Sequence, residues 1–506
     1  MPEKQIKITR FDGGMAEEDR DLGNGYFKYL ENVNAGEKAR GLKQERDVVG
    51  ADSTRTLLKT ISVDNVIYGL GKSTSGGNFA LYKSIDYGAT FSEINPASTS
   101  TFLQVENPFL VYYQGYIYFY NGIYIGKYTV SSGAITGDWL TLGIGGNTVS
   151  VGVQWQGELY GFSGQRIYAI NIVGNTFGED IVKEDVTFAG YIDIPTDQAI
   201  VELVPYGNLM AVICKSSVGD AVMYLWDGVT TTSFYDIISI GDSNVAGTSL
   251  VDGVIKVVVS DGLGFKIKQY NGNTFTTELN YLGRKNNTGD NFTYVISRVK
   301  THNNFLYFLI GATRPNTNTT VNSFSVQLAR YGSQTSGQQK SLSVYKDLNF
   351  VPSSITRLTD RQNDFNIMLT TSGYYAIFCA IQDNASTLTI KEIRTTTTTA
   401  LAGIIETSIF TGGDSSIEKK LSEMSIMCEP LTTGQSIKLS YKPDADTTWT
   451  EIQTIDTVGT ITYEPVLEAD GSNLRTSKEV AFRFELLGGA ELTGFTARYE
   501  EELGQR

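Results

Sequence analysis

The chain has 506 residues, 41% of them apolar and 19% charged. That is enough apolar material for large cores, which excludes a disordered chain, and the length exceeds one ordinary domain unless a large repeat architecture fills it. Its 41 Lys+Arg against 55 Asp+Glu give a net charge of −14, a poor balance for general nucleic-acid binding, which needs Lys and Arg to displace phosphate counterions.

Along the chain, MPEKQIKITRF lacks the apolar core of a secretory signal. KQIKITRF is compatible with a strand. The following segment, to Asp47, is rich in glycine and charge with little periodicity. Residues 1–55 are expected to form an extended arm that orders only against the propeller or a neighbouring subunit. Its densest basic cluster, Lys38, Arg40 and Lys43, sits among acids and suits a protein contact.

A repeat begins next. A tight polar turn and its following apolar strand recur as DNVIYGL (from Asp64), QGYIYFY (Gln114), QGELYGF (Gln156), GNLMAVI (Gly207), DGVIKVV (Asp252), NNFLYFL (Asn303) and NDFNIML (Asn363). Third strands such as FALYKSI and RIYAINIV follow, then fourth strands such as TFTTEL and TLTIKEI; the fourth is weak in the third copy, after Asn175. Asn, Asp and Gly tolerate the positive φ of two-residue hairpins. The spacing of 42 to 60 residues matches β-propeller blades of four strands. Residues 56–396 are expected to form a propeller of about seven blades, with six and eight also compatible. The uncharged run Asn107–Gly126 is broken by Gln114-Gly115 and Asn121-Gly122 and reads as hairpins rather than a membrane span.

The stretch SIDYGATF in the first copy reads as an Asp-box: Ser84, Asp86, Gly88, Thr90 and Phe91. Asp86 would accept hydrogen bonds from turn amides, Gly88 would supply a permissive backbone, and Phe91 would pack between blades. That is a bracing role that needs no substrate.

Candidate chemistry is sparse. The single histidine, His302, falls in a hairpin turn and reads as solvated, so no Ser-His-Asp or Cys-His set can be built without it. Cys214, Cys379 and Cys428 are odd in number and far apart, and read as buried free thiols. GIGGN (143–147) lacks the following helix of a phosphate cradle. Asp444 and Asp446 suggest a calcium-loop fragment, but a hairpin tip explains them better. Sialidases, which share Asp-boxes, hold a carboxylate with three arginines and use a Tyr–Glu nucleophile pair. Here Arg166-Ile167 is followed by Tyr168 instead of proline, and Arg314-Pro315 lies in a polar loop.

After the run Thr395–Thr399 the pattern changes. About seven to eight longer strands follow, with alternation in Val480, Phe482, Phe484 and Leu486, and in Ile437, Leu439 and Tyr441. Residues 403–506 are expected to form a β-sandwich. The whole chain is thus read as all-β: arm, propeller, sandwich.

The arm, ITRFDGGMAEEDRDLGNGYFKYLENVNAGEKARGL, resembles the opening of bacteriophage tail structural proteins at Phe11, Gly13, Gly14, Asp21, Gly25, Phe27, Asn32 and Val33. FTGGDSSIEKKLSEMSI, SYKPDADTTWTEI, FRFELLGG and FTARYEE resemble the sandwich that follows a propeller in phage tail nozzle and related neck or baseplate proteins. The resemblance implies a non-enzymatic virion tail component with no cofactor, assembled in the host bacterial cytoplasm. It implies a ring, commonly of six copies, docked to other tail, adaptor or portal-proximal proteins and without a membrane anchor. DNA would pass the lumen without specific binding, repelled by its acids, and the eight arm residues would serve the subunit interface. The alternatives are a receptor- or glycan-binding propeller, with the insertion Gly311–Phe324 as its surface, and a sialidase-like glycoside hydrolase.

Overall fold

A computed structural model describes residues 4–10, 14–15, 26–31, 33–34, 39–41, 43–44, 55–73, 79–86, 90–94, 108–121, 124–141, 150–170, 172–173, 176–177, 192–228, 233–260, 264–282, 293–302, 304–313, 324–332, 340–345, 364–369, 375–383, 387–394, 399–400, 402–412, 414–444, 446, 448–464 and 476–502. Among them every regular element is a strand, and no helix is long and apolar enough to cross a membrane.

The repeat folds as antiparallel sheets whose strands pair in chain order. Blade 1 is Arg55–Val63, Val66–Ser73, Phe79–Ser84 and Ser92–Ile94; blade 2 is Leu110–Tyr113, Tyr116–Asn121, Tyr124–Thr129 and Ile135–Thr141. Blade 4 is Gln198–Tyr206, Leu209–Ser216, Val222–Trp226 and Asp236–Ser239; blade 5 is Val245–Val251, Val254–Ser260, Gly264–Tyr270 and Phe275–Leu282; blade 6 is Thr293–His302, Phe305–Thr313, Phe324–Gly332 and Ser341–Tyr345. In blade 3, Ser150–Trp155, Glu158–Ser163 and Arg166–Ile170 take their fourth partner from Ile192–Asp193, while Ile172–Val173 and Thr176–Phe177 pair only with each other. The fourth strand that looked weak after Asn175 therefore lies further along the chain. Blade 7 shows Asp364–Leu369, Tyr375–Asp383 and Thr387–Arg394, and residues 346–363 before it lie outside the described residues.

The first strands of blades 1 to 6 pack against one another in sequence, and Asp364–Leu369 of blade 7 packs against the first strands of blades 6 and 1. The sheets therefore close a seven-bladed β-propeller. Its turns use the backbone that the sequence suggests: Asp64, Gln114, Gln156 and Asp252 have φ of 48°, 48°, 50° and 52°, the left-handed region that matches strand twist in two-residue hairpins. Second strands are buried nearly end to end, as in Val254–Ser260, because neighbouring blades cover both their faces.

Beyond the propeller, two sheets pack face to face. Phe482 and Phe484 of Val480–Leu487 meet Phe495 of Glu491–Glu502 at ring-centroid distances of 4.8 and 5.0 Å. The alternating residues Ile437, Leu439, Tyr441, Val480, Phe482, Phe484 and Leu486 are all buried there.

The described strands of the arm order against the propeller at blade 6 and, beyond the expectation, against the sandwich. Several of these strands belong to the two sandwich sheets. Lys4–Ile8 pairs antiparallel with Glu491–Glu502, setting Ile6 opposite Ala497 and Ile8 opposite Phe495. Val33–Asn34 and Ala39–Gly41 extend the same sheet. Tyr29–Glu31 lies between Gly403–Glu406, with which it pairs antiparallel, and the outermost strand of blade 6, with which it pairs parallel. Blade 6, the arm and the second sandwich sheet thus form one continuous nine-stranded sheet.

Candidate functional site

Two places concentrate interactions that sequence reading did not join: the seam made by the arm and the axis of the propeller.

At the seam, Phe27, Leu30 and Val33 are fully buried. They share one apolar cluster with Phe265 and Tyr281 of blade 5, Phe308 and Val344 of blade 6, and Phe484 and Leu492 of the sandwich. The Lys28 amide donates to the Glu406 carbonyl at 3.0 Å. Of the arm residues expected at a subunit interface, Phe27 and Val33 are thus committed to this chain's own core. This corrects the expectation for both, and the reason is hydrophobic burial: a ring or branched side chain with no exposed surface has none to offer a neighbour. Gly14 lies in the short strand Gly14–Met15, which pairs parallel with Tyr26–Phe27. Phe11, Gly13, Asp21, Gly25 and Asn32 lie outside the described residues.

The Asp-box forms its brace. One Asp86 oxygen accepts from the Ser84 hydroxyl at 2.7 Å and the Thr90 amide at 2.9 Å; the other accepts from the Thr90 hydroxyl at 2.6 Å. Burial alone would raise the Asp86 pKa, but these donors hold it below the usual carboxylate value. Phe91 is buried, and Gly88 lies outside the described residues. Asp86→Ala should cost about 1–3 kcal/mol and loosen the hairpin between Phe79–Ser84 and Ser92–Ile94 before the rest of blade 1, as read by amide hydrogen exchange.

The other candidates are held in local structure. Arg166 grips Asp193 through two nitrogens, at 3.0 and 3.4 Å, between the outer strands of blade 3. The Asp444 carboxylate accepts from the Lys478 and Glu479 amides at 2.7 and 3.1 Å, so it braces the hairpin tip. His302 is not solvated, as its turn position suggested. It ends the first strand of blade 6, half-buried, and burial lowers its pKa. Cys214 and Cys428 are buried free thiols raised by burial; nothing is described of the Cys379 side chain. Residues 143–147, Arg314-Pro315 and 316–323 lie outside the described residues.

The axial site comes from first strands far apart in sequence. Lys59 belongs to blade 1, Glu202 to blade 4, and Arg298 and Lys300 to blade 6. Lys59, Lys300 and Arg298 all lie close enough to Glu202 to favour its charged form, and the Thr248 amide of blade 5 donates to it. Blades 1 and 4 are three apart in the ring, so the charge of Lys59 is felt at Glu202 across the propeller. Thr301 donates to the Ser249 hydroxyl at 2.6 Å between the first strands of blades 5 and 6. Each strand carries a β-bulge there, between Leu57 and Lys59, Ile200 and Glu202, and Ser297 and Val299. The bulged residue Arg298 has φ of 50°. The other described non-glycine residues with positive φ lie at hairpin turns or tips. Bulges re-aim side chains and leave one residue out of the ladder.

Burial pushes the Glu202 carboxyl up to about 7 despite the three cations. A carboxyl raised above its unfolded value binds its proton more tightly in the folded state, so stability falls as pH rises from about 4.5 to 7. The effect is up to about 2 kcal/mol after allowance for partial exposure. His302, lowered by burial, acts in the opposite sense just below 6.5. Glu202→Gln should therefore make the stability curve between pH 5 and 7.5 flatter or rising, measured by urea titration at each pH.

No family model and no curated protein matches the chain. Several solved structures show distant likeness. The WD40 domain of SCAP from fission yeast is 10% identical, with coverage of 71% of this chain and 95% of that one and a TM-score of 0.36. The N-terminal domain of Nup159 is 10% identical over 58% of this chain and 75% of that one, TM-score 0.35. A sialidase from Trypanosoma rangeli is 8% identical over 97% and 96%, TM-score 0.31. Likeness this distant carries no argument about function; the propeller assignment rests on the closed ring of sheets described above.

Proposed function

We propose that this protein is a non-enzymatic structural component of a phage virion tail, a nozzle-like, neck or baseplate ring subunit that forms part of the DNA exit channel. The observation that carries the reading is the strand Tyr29–Glu31, hydrogen-bonded to blade 6 on one side and to the sandwich on the other. A subunit that must hold its shape while DNA passes benefits from a sheet that leaves no hinge between its bodies. The two segments that resemble tail proteins stand at opposite ends of the sequence, and they fold into one hydrogen-bonded unit. In a ring, one surface would repeat its contact with the next copy around the axis, and partners would be adaptor, portal-proximal or other tail proteins. The net charge of −14 suits a lumen that repels DNA phosphates.

Negative-stain imaging of the purified chain, followed by labelling of virions with an antibody against it, tests the reading. The expected result is a closed ring with an open centre, located at the tail or neck. A monomer at all concentrations with label on peripheral spikes overturns it, as does a ring lumen lined by Lys and Arg for the DNA-repulsion step.

A further inference from the structure

We infer that the outer rim of blade 4 is a docking surface for a partner protein, through a segment that sets lysine or arginine beside large apolar side chains. This inference does not rest on the tail reading. The strand Asp236–Ser239 ends its sheet, and among the described residues no further strand pairs with it. Ile237 stands opposite Tyr224, which belongs to the apolar cluster shared with Trp155 and Tyr160 of blade 3. Ile237 therefore lies on the face turned toward blade 3. The outer strand of blade 3 is only the pairing of Ile192 and Asp193 with Ile167 and Arg166, too short to cover it. Ile237 is 60% exposed, Tyr235 at the start of the same strand 75%, and Val218 in the turn after Leu209–Ser216 78%. Large apolar side chains gathered in the open at one rim mark a contact surface.

Three exposed carboxylates stand among them: Asp197, Asp220 and Asp236. Printed contacts tie them to the same rim. Ser239, on the face of Ile237 by strand alternation, donates its hydroxyl to Asp220 at 3.2 Å. Gln198 Nε2 donates to the Asp197 carboxylate and to the Asp220 carbonyl, both at 3.2 Å. Asp236 accepts from the Ile237 amide at 2.8 Å. Each carboxylate thus has a neutral partner, and among the described residues none pairs with a lysine or arginine. Such a surface repels phosphates and other anions, and it favours a partner that brings cations together with apolar side chains. Because Asp236 occupies the Ile237 amide, the strand edge is blunted against addition of a further strand, and recognition falls to the side chains. Tyr235 to Ser239 spans about 13 Å of extended chain, so the matching segment carries its apolar and basic groups within roughly four or five residues.

Fluorescence anisotropy of a dye-labelled synthetic peptide, VTVTKTK, titrated with the full-length protein tests the surface. The expected result is saturable binding with a dissociation constant of about 0.1 mM or tighter, weaker at about 300 mM salt than at about 50 mM. The peptide VTVTETE, with both lysines exchanged for glutamate, should not bind. Ile237→Ser and Tyr235→Ser should each weaken binding about 5-fold or more, the loss of one apolar contact. Asp197→Asn combined with Asp220→Asn should weaken it and flatten its salt dependence. Glu451→Gln, at an exposed pair with Lys438 on the sandwich, should leave it unchanged. Thermal melts of each variant check folding, and where Ile237→Ser melts early, Tyr235→Ser carries the test. Absence of saturation at about 0.5 mM protein overturns the proposal, and so does binding that the rim substitutions leave intact. Sedimentation equilibrium of the parent chain covers the competing occupant: association of copies that Ile237→Ser abolishes would assign the rim to a second copy and overturn the proposal.

Discussion

Replacing Phe27 with alanine should destabilise the protein by about 3–5 kcal/mol. The ring is fully buried and lies where blades 5 and 6, the arm and the sandwich share one apolar cluster. Its removal takes apolar area from water-free contact and leaves a cavity that three surrounding sheets cannot all close. The loss should be felt on both sides of the seam. In amide hydrogen exchange, Gly403–Glu406 and Glu491–Glu502 in the sandwich should lose protection together with Ser341–Tyr345 in blade 6. Ile85→Ala, at a side chain 75% exposed, should stay within about 0.5 kcal/mol of the parent. If Phe27→Ala loosened only residues 4–44, the arm would be an appendage and the continuous sheet would not couple the two bodies.

The second large effect is expected at the contact of blades 5 and 6. Lys256 is buried, its side chain 3% exposed, and it shares the Glu278 carboxylate with Lys340. Its ammonium also stands 5.6 Å from the Tyr331 ring centroid. Burial lowers the Lys256 pKa to about 8 against the pull of Glu278. Glu278→Gln should cost about 3–5 kcal/mol at neutral pH, because it strands a buried ammonium beside a second one. The sign of the pH effect follows. In the variant, folding is opposed by the charge on Lys256, and the unfolded state keeps its proton to higher pH than the folded state. Stability of the variant should therefore recover between pH 7 and 9.5, measured by urea titration. Exchanging Lys256 for Met together with Glu278 for Leu should restore most of the loss at pH 7, since an apolar pair of similar volume removes both desolvation penalties. A cost below about 1 kcal/mol for Glu278→Gln would mean that water reaches the pair and screens it.

The propeller was legible because its signals are local. A two-residue turn such as Asp252-Gly253 needs only its own residues to adopt positive φ, and the apolar run that follows declares a strand covered on both faces. The Asp-box is local too, since its donors lie within four residues of Asp86. The fourth strand of blade 3 was missed because Ile192–Asp193 makes only a two-residue pairing with Arg166 and Ile167, too short for any periodicity. The turn position of His302 suggested exposure, but the ring's packing half-covers it. The axial group left almost no trace. Lys59, Glu202 and Arg298 stand at the same count ahead of their hairpin turns in blades 1, 4 and 6, which a blade-by-blade comparison can find, yet nothing in one strand says what it faces across a ring.

By itself, the order of residues determined an all-β chain, the blade-forming hairpins, the alternating sandwich strands and a structural use for SIDYGATF. Tertiary structure alone decided that the first residues are woven into the last, and that charges from distant blades act on one carboxylate, Glu202. The physical reason is range. Turn chemistry and strand periodicity are settled within about ten residues. The pairing of Ile8 with Phe495, or the field of Lys59 at Glu202, depends on how the closed ring and the shared core bring distant segments together.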